Sequence, residues 1–134
     1  MRNTFAALFA SALLAPVADA TACGAADACA DVTANFVVGV LTADRFAPEL
    51  ERAELQWWTD QEVAPAIQSY RVSRCLTPTN CSWIAALRPV GACGRVQVYR
   101  VDDMPPGSVG DWTYRPQVIR ADGTVACSVD TRPR

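Results

Sequence analysis

Along most of the chain, apolar and polar residues alternate in short stretches bounded by turn-forming residues, and helical spacing is rare. Phe36-Val37-Val38-Gly39-Val40-Leu41 is a β-branched run that predicts a first strand. Thr42 to Glu54 reads two ways. Pro48 can open a helix whose Leu50, Ala53 and Trp57 share a face, or the segment is a connection. A loop or one short helical turn is preferred, because Ala53, Leu55 and Trp57 also alternate with Glu54 and Gln56. That alternation predicts a half-buried strand with Leu55 and Trp57 inward and Trp58 outward. Further strands are expected within Ile67 to Arg74, Trp83 to Leu87, Arg95 to Asp102 and Trp112 to Arg120, and from Val125 to Val129 after the Asp122-Gly123 turn. Residues 75–81 and 104–108 have turn composition. Roughly seven short strands at turn-bounded intervals predict an all-β fold, a seven-strand antiparallel sandwich over residues 36–131.

The ends of the chain have a different character. Met1-Arg2-Asn3 is a short positive start, Thr4 to Leu14 is apolar, Pro16 breaks the run, and Ala18-Asp19-Ala20 has the small-x-small form of a cleavage site. Together they predict a signal peptide over residues 1–20, in preference to a buried N-terminal helix or a lipoprotein signal ending at Cys23. The mature chain is then expected to be secreted or periplasmic, with no membrane insertion after cleavage. Ala22 to Asn35 is rich in alanine and aspartate without periodicity, so residues 21–35 are expected to form a flexible tether.

Six cysteines in an exported chain read as three disulfides, although six allow 15 pairings. The simplest scheme joins neighbours: Cys23–Cys29, Cys75–Cys81 and Cys93–Cys127. The spacings lack Cys-x-x-Cys pairs, which argues against zinc.

Composition narrows the chemistry. All 12 basic residues are arginine, so there is no imidazole base, no histidine ligand and no lysine for a Schiff base or phosphate loop. The net charge is -2 and no basic block occurs, which argues against nucleic acid as a partner.

Several segments resemble fibronectin type III-like domains of bacterial exported proteins. Leu55-Gln56-Trp57-Trp58-Thr59-Asp60-Gln61-Glu62 is similar to that family's Leu-x-Trp strand and following Thr-x-x-Glu stretch. Tyr70-Arg71, the strand-opening Trp83, Asp103-Met104-Pro105-Pro106-Gly107, Trp112-Thr113-Tyr114-Arg115 and Asp122-Gly123-Thr124 follow in the family's order. The resemblance covers roughly residues 36–131 and implies an immunoglobulin/fibronectin III-like sandwich. It departs from the pattern at three points. Trp112 stands at the usual corner-tyrosine position, Pro116 falls in a strand expected to be central, and the cysteine content is high. A bulge at Pro116 or an early strand end is the expected resolution.

Candidate sites are few. Asp102, Asp103 and Asp111 lack the spacing of a calcium loop, and solvated turn carboxylates are the expected reading. Asp60 with Glu62, or Glu49, Glu51 and Glu54, have the residue type of a glycosidase pair, but acidic surface turns account for them more simply. Ser69, Ser73 and Ser82 have no base to activate them. No catalytic residue, metal or cofactor is expected. An outward Trp58 has the make-up of an interface anchor, with Arg71 joining it if the two strands lie side by side; otherwise the tether covers Trp58. The expected function is non-catalytic binding of a protein or glycan outside the cell or at the envelope, the alternatives being a structural spacer and a small hydrolase.

Overall fold

The computed structural model describes residues 23–44 and 47–134; the expected signal peptide over residues 1–20 lies outside them. Among the described residues one α-helix, α1 (Ala25–Asn35), precedes seven strands: β1 (Val37–Asp44), β2 (Ala47–Thr59), β3 (Ile67–Thr77), β4 (Asn80–Leu87), β5 (Gln97–Asp103), β6 (Thr113–Arg120) and β7 (Val125–Ser128). They form two antiparallel sheets, a three-stranded one in the order β1-β2-β5 and a four-stranded one in the order β4-β3-β6-β7. The seven antiparallel strands in two sheets agree with the alternation in the sequence, while α1 makes the fold mostly β rather than all-β. The ambiguous stretch from Thr42 to Glu54 belongs almost wholly to β1 and β2, which extend past the loop expected there. Pro48 is the second residue of β2, near the strand's start.

The inward faces follow the pleat. Leu55 and Trp57 of β2, Tyr99 of β5, Tyr70 and Val72 of β3, and Tyr114 and Val118 of β6 are all buried. Trp57 is the centre of an aromatic cluster, stacked on Tyr99 with ring centroids 5.4 Å apart and edge-on to Tyr70 at 5.8 Å. Phe36 adds a third contact at 5.7 Å. Such pairs contribute about 0.5–1.5 kcal/mol beyond the area they bury.

The expected tether is instead the helix α1, which packs on β2, β6 and β7 and buries Ala28, Cys29 and Val32. Five of its eleven residues are alanine, the best helix former, so propensity supplies what a wide apolar stripe does not. The helix also corrects the disulfide scheme. The bridges are Cys23–Cys93, Cys29–Cys127 and Cys75–Cys81, and only the last agrees with the neighbour pairing. A helix advances ~1.5 Å per residue and a disulfide requires Cα atoms within about 7 Å, so the turns beginning at Ala25 carry Cys29 away from Cys23. Each then meets a different element: Cys23 the β4–β5 loop, and Cys29 strand β7. These bridges close far longer loops than expected, with sequence separations of 70 and 98 against 6 for Cys75–Cys81. Chain entropy assigns about 4.4 and 4.7 kcal/mol to loops of those lengths, against roughly 2.3 for a hairpin-sized one.

Pro116 interrupts nothing on its β3 side. The β3–β6 register passes through Val72↔Pro116 without a bulge. The Pro116 carbonyl accepts from the Val129 N–H, so this residue's main-chain groups point toward the C-terminal segment. Only a bond on that side is forgone, and neither the bulge nor the early strand end occurs.

Candidate binding face

Two polar clusters lie within the layer between the sheets. At one end the Arg74 guanidinium donates to both oxygens of Asp103, at 2.8 and 3.0 Å, and the Tyr114 hydroxyl donates to the same carboxylate at 2.7 Å. Arg74 also lies over the Trp112 ring, 5.0 Å from its centroid, and the Trp112 indole N–H donates to the Pro106 carbonyl at 3.1 Å. At the other end Glu62, fully buried, receives the Tyr99 hydroxyl at 2.6 Å, with the Tyr70 hydroxyl at 3.4 Å. Tyr99 in turn accepts the Val90 N–H, which fastens the β4–β5 loop over Glu62. Burial pushes all three tyrosines well above the usual phenol range; the neighbouring carboxyls, Glu62 for Tyr70 and Tyr99 and Asp103 for Tyr114, push the same way.

These contacts absorb most of the acidic candidates. Asp103 points inward to Arg74 and Tyr114, while Asp102 and Asp111 are exposed, so the three do not converge on a cation. Among the described residues no group of three His, Cys, Asp or Glu is placed to hold a metal ion. Glu62 is sealed in the core, and Asp60 is engaged with Gln61. Glu51 accepts the Val109 N–H at 2.7 Å and the Ser108 hydroxyl. Asp60, Glu62 and Glu51 are thus each taken up by a separate contact.

Trp58 points outward from β2 and is 40% exposed, beside its cross-strand neighbour Val98. Helix α1 reaches it only through the main chain. The Asn35 amide accepts the Trp58 N–H and donates to the Trp58 carbonyl, both at 2.8 Å, as a neighbouring strand would. Asp31 adds a bond from the Thr59 hydroxyl at 2.9 Å. The indole itself is left out of these contacts.

Arg71 does not join Trp58. It lies on β3, in the opposite sheet, and faces outward there. Its guanidinium carbon sits 3.7 Å from the centroid of the Trp83 ring. Trp83, on the edge strand β4, is 66% exposed, the most open aromatic side chain among the described residues. The hairpin register explains the contact. Cys75 pairs with Cys81 and Ser73 with Trp83, so Arg71 is the diagonal neighbour of Trp83, within reach of a long side chain. Counting back from a Cys75–Cys81 hairpin would have found this pair in the sequence; only the assumption that Arg71 serves Trp58 concealed it. The stack holds the guanidinium flat, and no carboxylate among the described residues pairs with it.

The rest of this face is polar. Next to Ser73 on β6 stands Arg115, whose guanidinium bonds Asp130 at 2.6 Å and holds that carboxyl below the usual carboxylate range. Gln117 pairs with Ser128 one step along. At the other end of the face a hollow of about 260 Å³ is lined by Cys75, Pro78, Thr113, Asp130 and Arg132, among others. The strands of this sheet carry four arginines (Arg71, Arg74, Arg115, Arg120) and no acidic residue; those of the three-stranded sheet carry two arginines and six acidic residues.

A scan against family models finds no match to this chain, and no curated protein or solved structure matches it either.

Proposed function

We propose that the chain is a secreted, non-catalytic binding module of fibronectin type III-like architecture, and that it contacts its ligand through the outer face of the four-stranded sheet. The observation that carries this reading is the Arg71–Trp83 stack: an open indole bearing a cation with no carboxylate partner among the described residues. Aromatic and arginine side chains presented together are the residue types that dominate binding energy at interfaces. The strand order β1-β2-β5 with β4-β3-β6-β7 supports the fibronectin type III reading, and three disulfides support an oxidising compartment. An exposed indole on a sheet face weighs against a spacer with a uniformly polar surface.

The test is retention of the mature chain on a mixed array of glycans and peptides, with Trp83→Ala, Arg71→Gln and Trp58→Ala compared. The expected result is loss of retention for the first two, with Trp58→Ala behaving as wild type and all thermal midpoints close. A chain that retains nothing, or that keeps its ligand after Trp83→Ala, overturns this assignment.

A further inference from the structure

Resting on that reading of the face, we infer that its ligand is an acidic polysaccharide carrying carboxylate groups, a polyuronate. The charge of the face differs from that of the molecule. The chain carries a net charge of -2, yet the exposed or half-exposed charges on this face are Arg71, Arg115 and Arg132 against Asp130 alone. An anionic ligand is therefore drawn to this side.

The geometry of Arg71 narrows the anion. One plane of its guanidinium is occupied by Trp83 and its Nε is buried without a partner, which leaves the two terminal nitrogens, the edge that takes a carboxylate through two parallel bonds. Arg115 is already bonded to Asp130, which leaves Arg71 on β3 and Arg132 at the hollow as the cations of this face without a carboxylate among the described residues. Separate single charges suit a chain with one carboxylate per sugar ring.

The remaining surface suits sugar rather than peptide. The indole of Trp83 offers an open apolar plane for the C–H face of a pyranose ring, and Gln117, Ser128 and Thr113 offer neutral hydrogen-bonding groups for hydroxyls. From Arg71 to Cys75 the face extends about 13 Å along β3 before the hollow, length for more than one ring. An extended peptide would instead draw its affinity from main-chain bonds along a sheet edge rather than from the outer face of the sheet.

Fluorescence titration of the mature chain with polygalacturonate, with its fully methyl-esterified form and with poly-glutamate, separates the terms. Polygalacturonate is expected to bind, with affinity falling at least tenfold on esterification, in Arg71→Gln and in Trp83→Ala. Binding should weaken as salt rises, and circular dichroism should show each variant folded. Equal binding of the esterified polymer overturns the carboxylate and leaves the face standing. Poly-glutamate binding as tightly as polygalacturonate overturns the sugar and also leaves the face standing. Polygalacturonate binding unaffected by both substitutions removes the face itself, and failure of polygalacturonate to bind overturns the ligand class.

Discussion

The two carboxyl groups between the sheets, Asp103 and Glu62, are each bonded by a tyrosine, but only Asp103 has a cation. Asp103 and Arg74 keep some contact with solvent, with side-chain exposures of 10% and 18%, and their pairing ties β5 to β3 across the sandwich. Glu62 is wholly enclosed and is bonded by two phenols, with no arginine beside it. The difference shows two ways of keeping an acid inside a small fold. At the Asp103 end a counter-charge offsets the cost of desolvation. At the Glu62 end the surroundings supply hydrogen bonds alone, and the enclosing wall is the loop that Cys93 anchors to the chain's N-terminal segment.

The strongest test of that contrast is alkaline titration. All three tyrosines of the chain lie in these clusters, and each is raised above its unfolded value of about 10. A phenol with a raised folded pKa contributes stability that is complete below pH about 10 and is lost as the pH climbs toward the folded value. A unit above pH 10 the unfolded chain has released nearly three protons that the folded chain retains. Stability should then fall by about 4 kcal/mol per pH unit, at ~1.4 for each tyrosine. Absorbance at 295 nm followed with circular dichroism should show phenolate appearing only as the fold is lost. Tyr114→Phe should reduce the slope by about a third. Phenolate absorbance near pH 10 in a folded chain would contradict this account of both clusters.

Substitution separates the clusters next. Glu62→Ala leaves the Tyr99 and Tyr70 hydroxyls short of an acceptor and opens a void, at a cost of about 3 kcal/mol. Glu62→Gln keeps an oxygen for Tyr99 and should stay within about 1 kcal/mol of wild type, because no cation is left behind. Asp103→Asn is the opposite case. It leaves Arg74 without its counter-charge and should cost about 2 kcal/mol, discounted for the partial exposure of the pair. Urea denaturation of the three variants reads these values. The contrast fails if the amide at residue 62 proves as damaging as the amide at residue 103.

A more local effect probes the wall over Glu62. A Cβ at Gly91 would fall 2.4 Å from Glu62 Oε1 and 2.9 Å from the Gln97 Cβ. Gly91→Ala should therefore push the loop outward and cost about 1–2 kcal/mol. The same substitution in a Glu62→Ala background should cost less, since only the Gln97 Cβ still obstructs it. Thermal midpoints of the two backgrounds measure this coupling.

The elements legible in advance were those set by local periodicity. The Leu55/Trp57 alternation, the hairpin around Cys75 and Cys81, and the turn at Asp122-Gly123 all follow from residues within a few positions of one another. The helix α1 was hidden because its buried stripe is narrow and made of small residues, so its signal lay in alanine content rather than in hydrophobic spacing.

The sequence by itself determined that seven strands would form, that Trp57 would point inward and Trp58 outward, and that the hairpin cysteines would meet. Side-chain direction in a strand, and pairing across a tight turn, depend on near neighbours alone. Only the tertiary structure decided which cysteines meet Cys93 and Cys127, and that Arg71 and Trp58 stand on different sheets. It also decided that Glu62 and Asp103 take opposite ends of one core. Those outcomes depend on which sheet each strand enters and on where the helix closes the layer between the sheets. Both follow from burying many distant residues at once, which no short window of the chain contains.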